Sequence, residues 1–173
     1  MGRSTATAPD PAMLIIRPAV PADAPTVHRL IRAIAEYQGD GASFTATVED
    51  VARDGFGPES CYSTLLAELD GRVAGLASFF PTYSTFRGRP CLYLDNLYVE
   101  AECRRRGVAR ALLARVAGIA RIRGCYRVDL HVREGNDAET AYRRVGFEPS
   151  GSLAMSLMGE ALRQLATENP TAQ

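Results

Sequence analysis

The chain has 173 residues, long enough for one domain with a buried core, and its apolar (46%) and charged (23%) fractions are ordinary for a globular protein. Its 20 basic residues, all of them arginine, balance 20 acidic ones, and the resulting zero net charge argues against a nucleic-acid-binding protein. No apolar run approaches the roughly 20 residues that a membrane-spanning helix needs.

Cysteine and histidine usage argues against a metal site. The four cysteines and two histidines are scattered and no C-x-x-C pair occurs, so we predict no bound metal. Cys91 lies in an apolar run and is expected to be a small core residue. The isolated cysteines and the lack of a secretory signal favour a cytoplasmic protein.

The first part of the chain predicts a tail, a strand and a helix. Residues 1–12 are small, polar and interrupted by proline, which is typical of a disordered tail before a single domain over 13–173. A short strand is predicted over 13–17. Apolar residues at helical spacing predict a helix over 24–37, with Asp23 as its candidate cap.

A short helix and a hairpin follow. The segment 47–57 opens with a Thr-x-x-Asp capping box, which predicts a helix. Two strand-like runs, 61–69 and 72–81, flank an Asp-Gly turn and predict a β-hairpin. A loop is predicted over 82–90, before a mostly apolar strand over 91–99.

Strands and helices alternate in the second half of the chain. The remaining predicted elements are a helix over 107–121, a strand over 126–132, a helix over 136–145, a strand over 152–158 and a closing helix over 160–167. Together with the hairpin before them, they predict an α/β domain built on a mixed sheet.

The turn before the helix at 107–121 has features of a phosphate site. Arg104, Arg105 and Arg106 precede Gly107, between the end of a strand and the start of a helix. Free backbone N–H groups and the helix dipole favour an anion there, and glycine lets backbone and ligand come close. A plain strand–helix turn with exposed arginines explains the same residues, so both interpretations stay open at this point.

Three motifs together resemble the GNAT family of N-acetyltransferases. The segment 104–109 (RRRGVA) is similar to the family's R/Q-x-x-G-x-G/A signature, "LYLDNLYV" precedes it, and Asn136 and "YRRVGF" follow in the family's order. The likeness extends over roughly residues 14–168 and is greatest to the diamine (spermidine/spermine or thialysine) acetyltransferase branch. It implies a mixed, mostly antiparallel sheet with a splayed parallel pair, flanked by helices.

The resemblance implies acetyl-CoA as the co-substrate, held by several parts of the chain. The residues implied to hold it are Arg104, Arg105, Arg106, Gly107, Val108 and Ala109 at the pyrophosphate, the backbone of Leu97, Tyr98 and Val99 along the pantetheine arm, Asn136 on the same arm, and Tyr142 beside the sulfur. The Leu97 N–H is also implied to hold the thioester oxygen, because such a donor acts where charge develops. Tyr142 follows Asn136 by six positions, one fewer than in the family pattern.

Two residues are implied to move protons. Asp95 occupies the place of the branch's glutamate base, and an alkylamine of pKa about 10.4 must lose a proton before it attacks. Because a free aspartate has a pKa of about 3.9, Asp95 needs burial to become an effective base, acting directly or through a water. Tyr142 is implied to donate a proton to the departing CoA thiolate.

The predicted acceptor side departs from the diamine branch. Asn96 replaces an acidic residue beside the base, Ser84 replaces an aspartate, and Phe86 replaces a tryptophan. These three and the base are the candidate substrate-binding residues. Since Arg87 and Arg89 lie in the same loop, we expect a weakly acidic pocket that suits an amino acid better than a polyamine.

The leading hypothesis is an acetyl-CoA-dependent N-acetyltransferase that acts on a primary amine of a small molecule by direct attack. Two alternatives stay open: an enzyme that acetylates a protein or histone-like peptide, and a non-catalytic acyl-CoA-binding sensor. We predict no nucleic-acid or membrane partner, and the resemblance implies a homodimer.

Overall fold

The computed structural model describes residues 13–133, 135–136 and 138–167, which fall into two compact units, one ending at Arg133 and one following it. The predicted tail lies outside the described residues. Within these ranges, no helix is long and apolar enough to cross a membrane. No group of potential metal ligands occurs in the same part of the chain.

The strands of the first unit form one mixed sheet. They are β1 (Leu14–Pro18), β2 (Ser63–Leu69), β3 (Arg72–Ser84), β4 (Arg89–Val99) and β5 (Val128–Leu130). The strands lie side by side in chain order, and all neighbours are antiparallel except β4 and β5, which are parallel. The predicted mixed, mostly antiparallel sheet is therefore confirmed.

The hairpin of β3 and β4 is longer than predicted. β3 runs on to Ser84 and β4 begins at Arg89, so the predicted loop over 82–90 is mostly strand. The polar residues there remain paired in the sheet, because the pairing satisfies backbone N–H and C=O groups that would otherwise have to bond to water. β5 is shorter than the predicted 126–132, because β4 pairs only with its residues Val128–Leu130.

All the predicted helices are present. They are α1 (Ala24–Tyr37), α2 (Val48–Phe56), α3 (Val108–Ile122), α4 (Ala138–Arg144) and α5 (Gly159–Thr167). Thr47 caps α2 as predicted, since the Asp50 N–H donates to its Oγ1 at 3.1 Å. The expected Asp23 cap of α1 is wrong, because the Asp23 carboxylate binds the Arg17 side chain and the Val20 N–H instead.

The predicted strand over 152–158 is wrong. These residues have no strand pairing. A strand needs a neighbour to satisfy its backbone N–H and C=O groups, and no described strand pairs with this segment. The alternating apolar side chains that suggested a strand are exposed, with Leu153 at 85% and Met155 at 88%.

Apolar side chains cover both faces of the sheet in the first unit. One cluster joins α1 and α2 to the sheet through Ala24, Val27, Leu30, Val51, Leu66 and Leu76. Leu65 and Ala77 alternate with residues of that cluster, so they face the opposite side, where they are also buried. α3 contacts β1 to β4 and buries Val108, Leu112 and Val116. Cys91 is 1% exposed, as expected for a core residue.

Candidate active site

A β-bulge in β4 directs two adjacent polar side chains into one cavity. Ser78 pairs with Asn96 and Phe79 pairs with Leu94, so Asp95 is an extra residue in β4. A bulge bends its strand and redirects a side chain. Asp95 and Asn96 therefore both line the same cavity, and Asn96 Nδ2 donates to Asp95 Oδ2 at 2.8 Å.

The cavity has a volume of about 370 Å³ and lies entirely within the first unit. Its apolar and aromatic walls come from Ile31, Ala46, Val51, Tyr62 and Phe80. Three carboxylates face it as well, those of Asp50, Asp54 and Asp95. α2 supplies two of these carboxylates, which the comparison of the loop residues did not consider. A volume of this size suits a small molecule.

The surroundings of Asp95 make its carboxylate a stronger base. Loss of water around the side chain raises the pKa of Asp95, and the hydrogen bond from Asn96 lowers it by less. The Asp95 side chain is partly exposed. Its pKa is nevertheless raised, because neighbouring protein atoms displace part of the water around the carboxylate. Asp95 is therefore open to an incoming amine and takes up a proton more readily than a free aspartate does.

Tyr62 is a cavity residue that the sequence reasoning missed. Burial raises the pKa of Tyr62, and the charges of Asp54 and Asp95 add to the effect. The ring lies directly against Gly55 of α2, where an added Cβ would be 3.1 Å from Tyr62 Oη. The isolated glycine inside a predicted helix was the available signal, because such a glycine often marks close packing.

A second phenol lies on the same face of β4. Tyr93 precedes Asp95 by two residues, and the charge of Asp95 adds to burial in raising the pKa of Tyr93. Its Oη hydrogen-bonds His131 Nδ1 at 2.7 Å, and its ring lies 5.0 Å from that of Phe80. This aromatic group supports the wall of the cavity that Phe80 forms.

β4 has one open backbone edge beyond its pairing with β5. After the last pair, at Leu94, β4 continues to Val99 without β5. The Glu100 N–H donates to Ala74 O, on the side of β3, at 2.9 Å. Strand alternation therefore turns the backbone groups of Leu97 and Val99 towards the edge that β5 leaves. Backbone groups turned to an open edge can pair with an extended ligand.

The start of α3 presents backbone N–H groups. Gly107 has a φ of +83°, a conformation that favours glycine. The first helical bond runs from the Ala111 N–H to Gly107 O at 3.0 Å, so the N–H groups of Gly107, Val108 and Ala109 have no acceptor within the helix. A Cβ at position 107 would meet no atom within 4 Å, so the turn leaves room for a ligand.

Two of the three arginines before Gly107 stabilise this turn. Arg104 Nε donates to Val99 O at 3.2 Å, and its guanidinium lies 5.1 Å from the centre of the Tyr37 ring. Arg106 Nη2 lies 3.1 Å from Asp70 Oδ2. Arg105 is exposed and has a φ of +61°. The turn thus combines positive charge with the N–H groups of the helix start.

The predicted loop residues lie elsewhere in the first unit. Ser84 Oγ accepts from the Arg87 N–H at 3.2 Å, and Phe86 is 91% exposed under the Arg87 guanidinium. The cavity that contains Asp95 is lined by other residues. Ser84, Phe86, Arg87 and Arg89 are therefore not brought together with Asp95 there.

Asn136 and Tyr142 belong to the second unit. Asn136 Oδ1 accepts from the Ala138 N–H at 2.8 Å, at the start of α4. Tyr142 packs against Phe147, with 5.6 Å between the ring centres, and burial raises its pKa. Its hydroxyl therefore stays protonated at neutral pH. The roles of both residues in catalysis stay predictions.

The chain is similar to known acetyltransferases. Residues 27–147 match the model of the Acetyltransferase (GNAT) family. Thialysine N-epsilon-acetyltransferase from Bos taurus is 32% identical over 168 residues, which cover 90% of this chain and 98% of that protein. The human spermidine/spermine N(1)-acetyltransferase-like protein 1 is 29% identical over 148 residues, 82% of this chain and 21% of that protein.

A solved structure supports the same fold. It is that of a probable acetyltransferase, with a TM-score of 0.71 and 21% identity, and the match covers 84% of this chain and 99% of that one. The predicted resemblance to the family and to its diamine branch is thus confirmed.

Proposed function

The chain belongs to the acetyltransferase (GNAT) family, and on this premise we propose that it transfers an acetyl group from acetyl-CoA to the primary amine of a small molecule. The position of Asp95 supports this most directly. Asp95 faces a cavity of small-molecule size and lies only two residues before Leu97, where β4 turns its backbone to an open edge. The similar bovine protein is named for an amine acceptor, thialysine.

The first unit has the features that acetyl-CoA requires. The N–H groups at Gly107, Val108 and Ala109, with Arg104, Arg105 and Arg106 before them, suit a pyrophosphate. The backbone of Leu97 and Val99 suits the pantetheine arm, which pairs as a strand does. Tyr98, whose backbone groups face β3, and Asn136 are assigned to the same arm by resemblance. Acetyl-CoA contributes the thioester whose acetyl group is transferred.

Residues of the chain move two protons in this proposal. Asp95 accepts a proton from the substrate ammonium, directly or through a water, and so frees the nitrogen lone pair for attack on the thioester carbon. The Leu97 N–H donates to the carbonyl oxygen as that oxygen gains negative charge. As the carbon–sulfur bond breaks, Tyr142 donates its proton to the sulfur and the newly bonded nitrogen releases its remaining extra proton to water, which leaves a neutral amide. Solvent then restores the proton of Tyr142.

Replacing Tyr142 with phenylalanine tests the assigned acid. Tyr142→Phe is expected to lower kcat by about 10²- to 10⁴-fold, because the departing thiolate loses its proton donor. The Kd for acetyl-CoA, measured by calorimetry, is expected to stay the same. Tyr83→Phe, at an exposed position near the end of β3, is the matched control and should leave kcat unchanged. Full turnover by Tyr142→Phe would remove the acid role.

An acceptor screen tests the substrate class. Release of CoA thiol is measured with thialysine, lysine, spermidine, 2-phenylethylamine and a histone-like peptide. We expect turnover with at least one small amine and none with the peptide, because the cavity has the volume of a small-molecule site. Turnover with the peptide alone would favour a protein acetyltransferase. Tight acetyl-CoA binding without turnover would favour a sensor.

The proposal extends to assembly and compartment. We place the enzyme in the cytoplasm, where its four free cysteines stay reduced. Residues 13–173 are taken as one catalytic domain on the basis of the family resemblance. A homodimer is proposed from the family resemblance, and the exposed apolar side chains of Leu153 and Met155 support it.

A further inference from the structure

One arginine of α2 forms ion pairs with two of the three carboxylates that face the cavity. Arg53 binds Asp54 through two hydrogen bonds, Nε to Oδ1 at 2.7 Å and Nη2 to Oδ2 at 2.6 Å. Arg53 Nη1 lies 2.9 Å from Asp50 Oδ1. The two-point contact to Asp54 fixes the guanidinium more firmly than a single surface ion pair does.

Asp50 is also held by the helix cap. The Thr47 N–H and Oγ1–H donate to Asp50 Oδ2 at 2.9 Å and 2.8 Å. These hydrogen bonds, with that from Arg53, lower the pKa of Asp50 and keep it ionised. Each oxygen of Asp50 and Asp54 thus already has a partner from α2 or its cap. A second ammonium in the cavity would have to compete with Arg53 for them.

Asp95 has a different partner. Its carboxylate accepts from the neutral amide of Asn96, so its charge is available to a substrate ammonium. At the α2 wall, two carboxylates and one guanidinium leave a single net negative charge. The rest of the cavity lining includes apolar residues such as Ile31, Val51 and Phe80. This arrangement suits one amine on an apolar stem.

Resting on the proposed acetyl transfer, we propose that Arg53 is a specificity-determining residue that makes the cavity prefer a monoamine with an apolar stem over a diamine or polyamine. Arg53 acts by occupying carboxylates that a second ammonium of the acceptor would otherwise bind. The residue touches neither the reacting amine nor the thioester in this role, so the acetyl-transfer step itself does not depend on it.

The test compares two acceptors in the wild type and in Arg53→Gln. The acceptors are 2-phenylethylamine, with one charge, and 1,5-diaminopentane, with two. We expect the wild type to have the higher kcat/KM for 2-phenylethylamine. Arg53→Gln should raise kcat/KM for the diamine relative to the monoamine by about 3- to 10-fold, the effect of one unit charge at roughly 6 Å in solvent-exposed surroundings. The gain should shrink at high salt, because the charges are screened.

Three further variants separate charge from structure. Arg53→Lys keeps the positive charge and should keep the wild-type preference. The double variant Arg53→Gln/Asp54→Asn also removes the carboxylate that Arg53→Gln leaves without its partner. It should cancel most of the gain in kcat/KM for the diamine. Arg32→Gln removes the same charge from a similarly exposed ion pair on α1, whose carboxylate, that of Glu36, does not line the cavity, and should leave the ratio unchanged.

The outcomes distinguish this inference from the proposed function. Turnover of amines with a ratio that Arg53→Gln leaves unchanged overturns the role of Arg53 alone. A wild type that prefers the diamine also overturns it. No turnover with any amine overturns both the role of Arg53 and the proposed function. A salt-sensitive shift towards the diamine that Arg53→Lys does not reproduce supports the inference.

Discussion

At the level of single residues, Asp95 connects a backbone irregularity to a chemical property. The bulge exposes its carboxylate to the cavity, and the loss of water there raises its pKa. Asp95→Asn is expected to lower kcat/KM by about 10²-fold or more, because the amide cannot accept the proton. In the wild type, kcat/KM should fall as the pH drops through the raised pKa of Asp95. Steady-state kinetics with saturating acetyl-CoA across pH measures both effects, and an unchanged acid limb in Asp95→Asn would contradict the assignment.

The same pKa shift has a consequence for stability. Because the folded-state pKa of Asp95 is raised, its favourable contribution is present below the unfolded pKa and is lost as pH rises through the folded pKa. Asp95→Asn should therefore be more stable than the wild type at pH 7 and not at pH 3. Asp50→Asn is the control of opposite sign, since the pKa of Asp50 is lowered. Urea unfolding at both pH values measures the differences, and a less stable Asp95→Asn at pH 7 would contradict them.

Gly107 has a second residue-level role that depends on backbone conformation. Gly107→Ala is expected to lower the free energy of unfolding by about 1–2 kcal/mol, because φ is +83° there. It should also weaken acetyl-CoA binding, since the new methyl group enters the open space of the turn. Gly118→Ala, within α3 and without a positive φ, is the control and should stabilise by about 0.5–1 kcal/mol. Urea unfolding measures the stabilities, and calorimetric titration measures the Kd for acetyl-CoA. Equal Kd values for Gly107→Ala and Gly118→Ala would contradict the assignment of this turn to the pyrophosphate.

At the level of elements, close contact between β3 and β4 positions the open edge. A Cβ on Gly75 would lie 2.3 Å from Tyr98 O, so any side chain there pushes the two strands apart. Gly75→Ala is expected to cost about 1–3 kcal/mol and to weaken acetyl-CoA binding, because β4 shifts at Tyr98 and Val99. Ala77→Gly, at a buried position two residues along β3, should lose about 1 kcal/mol without affecting acetyl-CoA binding. If both variants bind acetyl-CoA like the wild type, the edge does not contribute to binding.

The predictable elements were those with a local signal. Helical spacing predicted α1 from Ala24 to Tyr37, and the Asp-Gly turn predicted the first hairpin. The segment over 152–158 also had a local signal, its alternating apolar residues, but a strand depends on a partner that its own sequence does not provide. Pairing, unlike spacing, is a property of two segments.

The residues of the candidate site could be predicted from the sequence only where they belong to a recognisable motif. Asp95, Leu97 and the start of α3 follow from motifs, whereas the α2 wall of the cavity does not. Asp50 was predicted as a helix-capping residue, and it serves that purpose while its carboxylate also faces the cavity. The Arg53 contacts arise from helix geometry after α2 has packed on the sheet, so no sequence pattern marks them as part of a site.

For the molecule as a whole, zero net charge conceals a local separation of charge. Arginines cluster before α3, where a pyrophosphate is proposed, and carboxylates collect at the cavity, where an amine is proposed. Two oppositely charged substrates are thus attracted to different parts of one unit. Overall composition argued against a nucleic-acid binder, but because it averages over this separation it could not identify the acceptor.

The proposed homodimer is the prediction that concerns the whole molecule. Leu153 and Met155 are 85% and 88% exposed, and exposed apolar side chains this close in sequence favour association with a partner. Met155→Arg is expected to convert the dimer to a monomer, because a charge buried in an interface is costly. Light scattering after size exclusion measures the mass. Phe86→Ser, equally exposed at 91% on the β3–β4 turn, is the control and should leave the dimer intact. A wild type that is monomeric at every concentration would overturn the proposal.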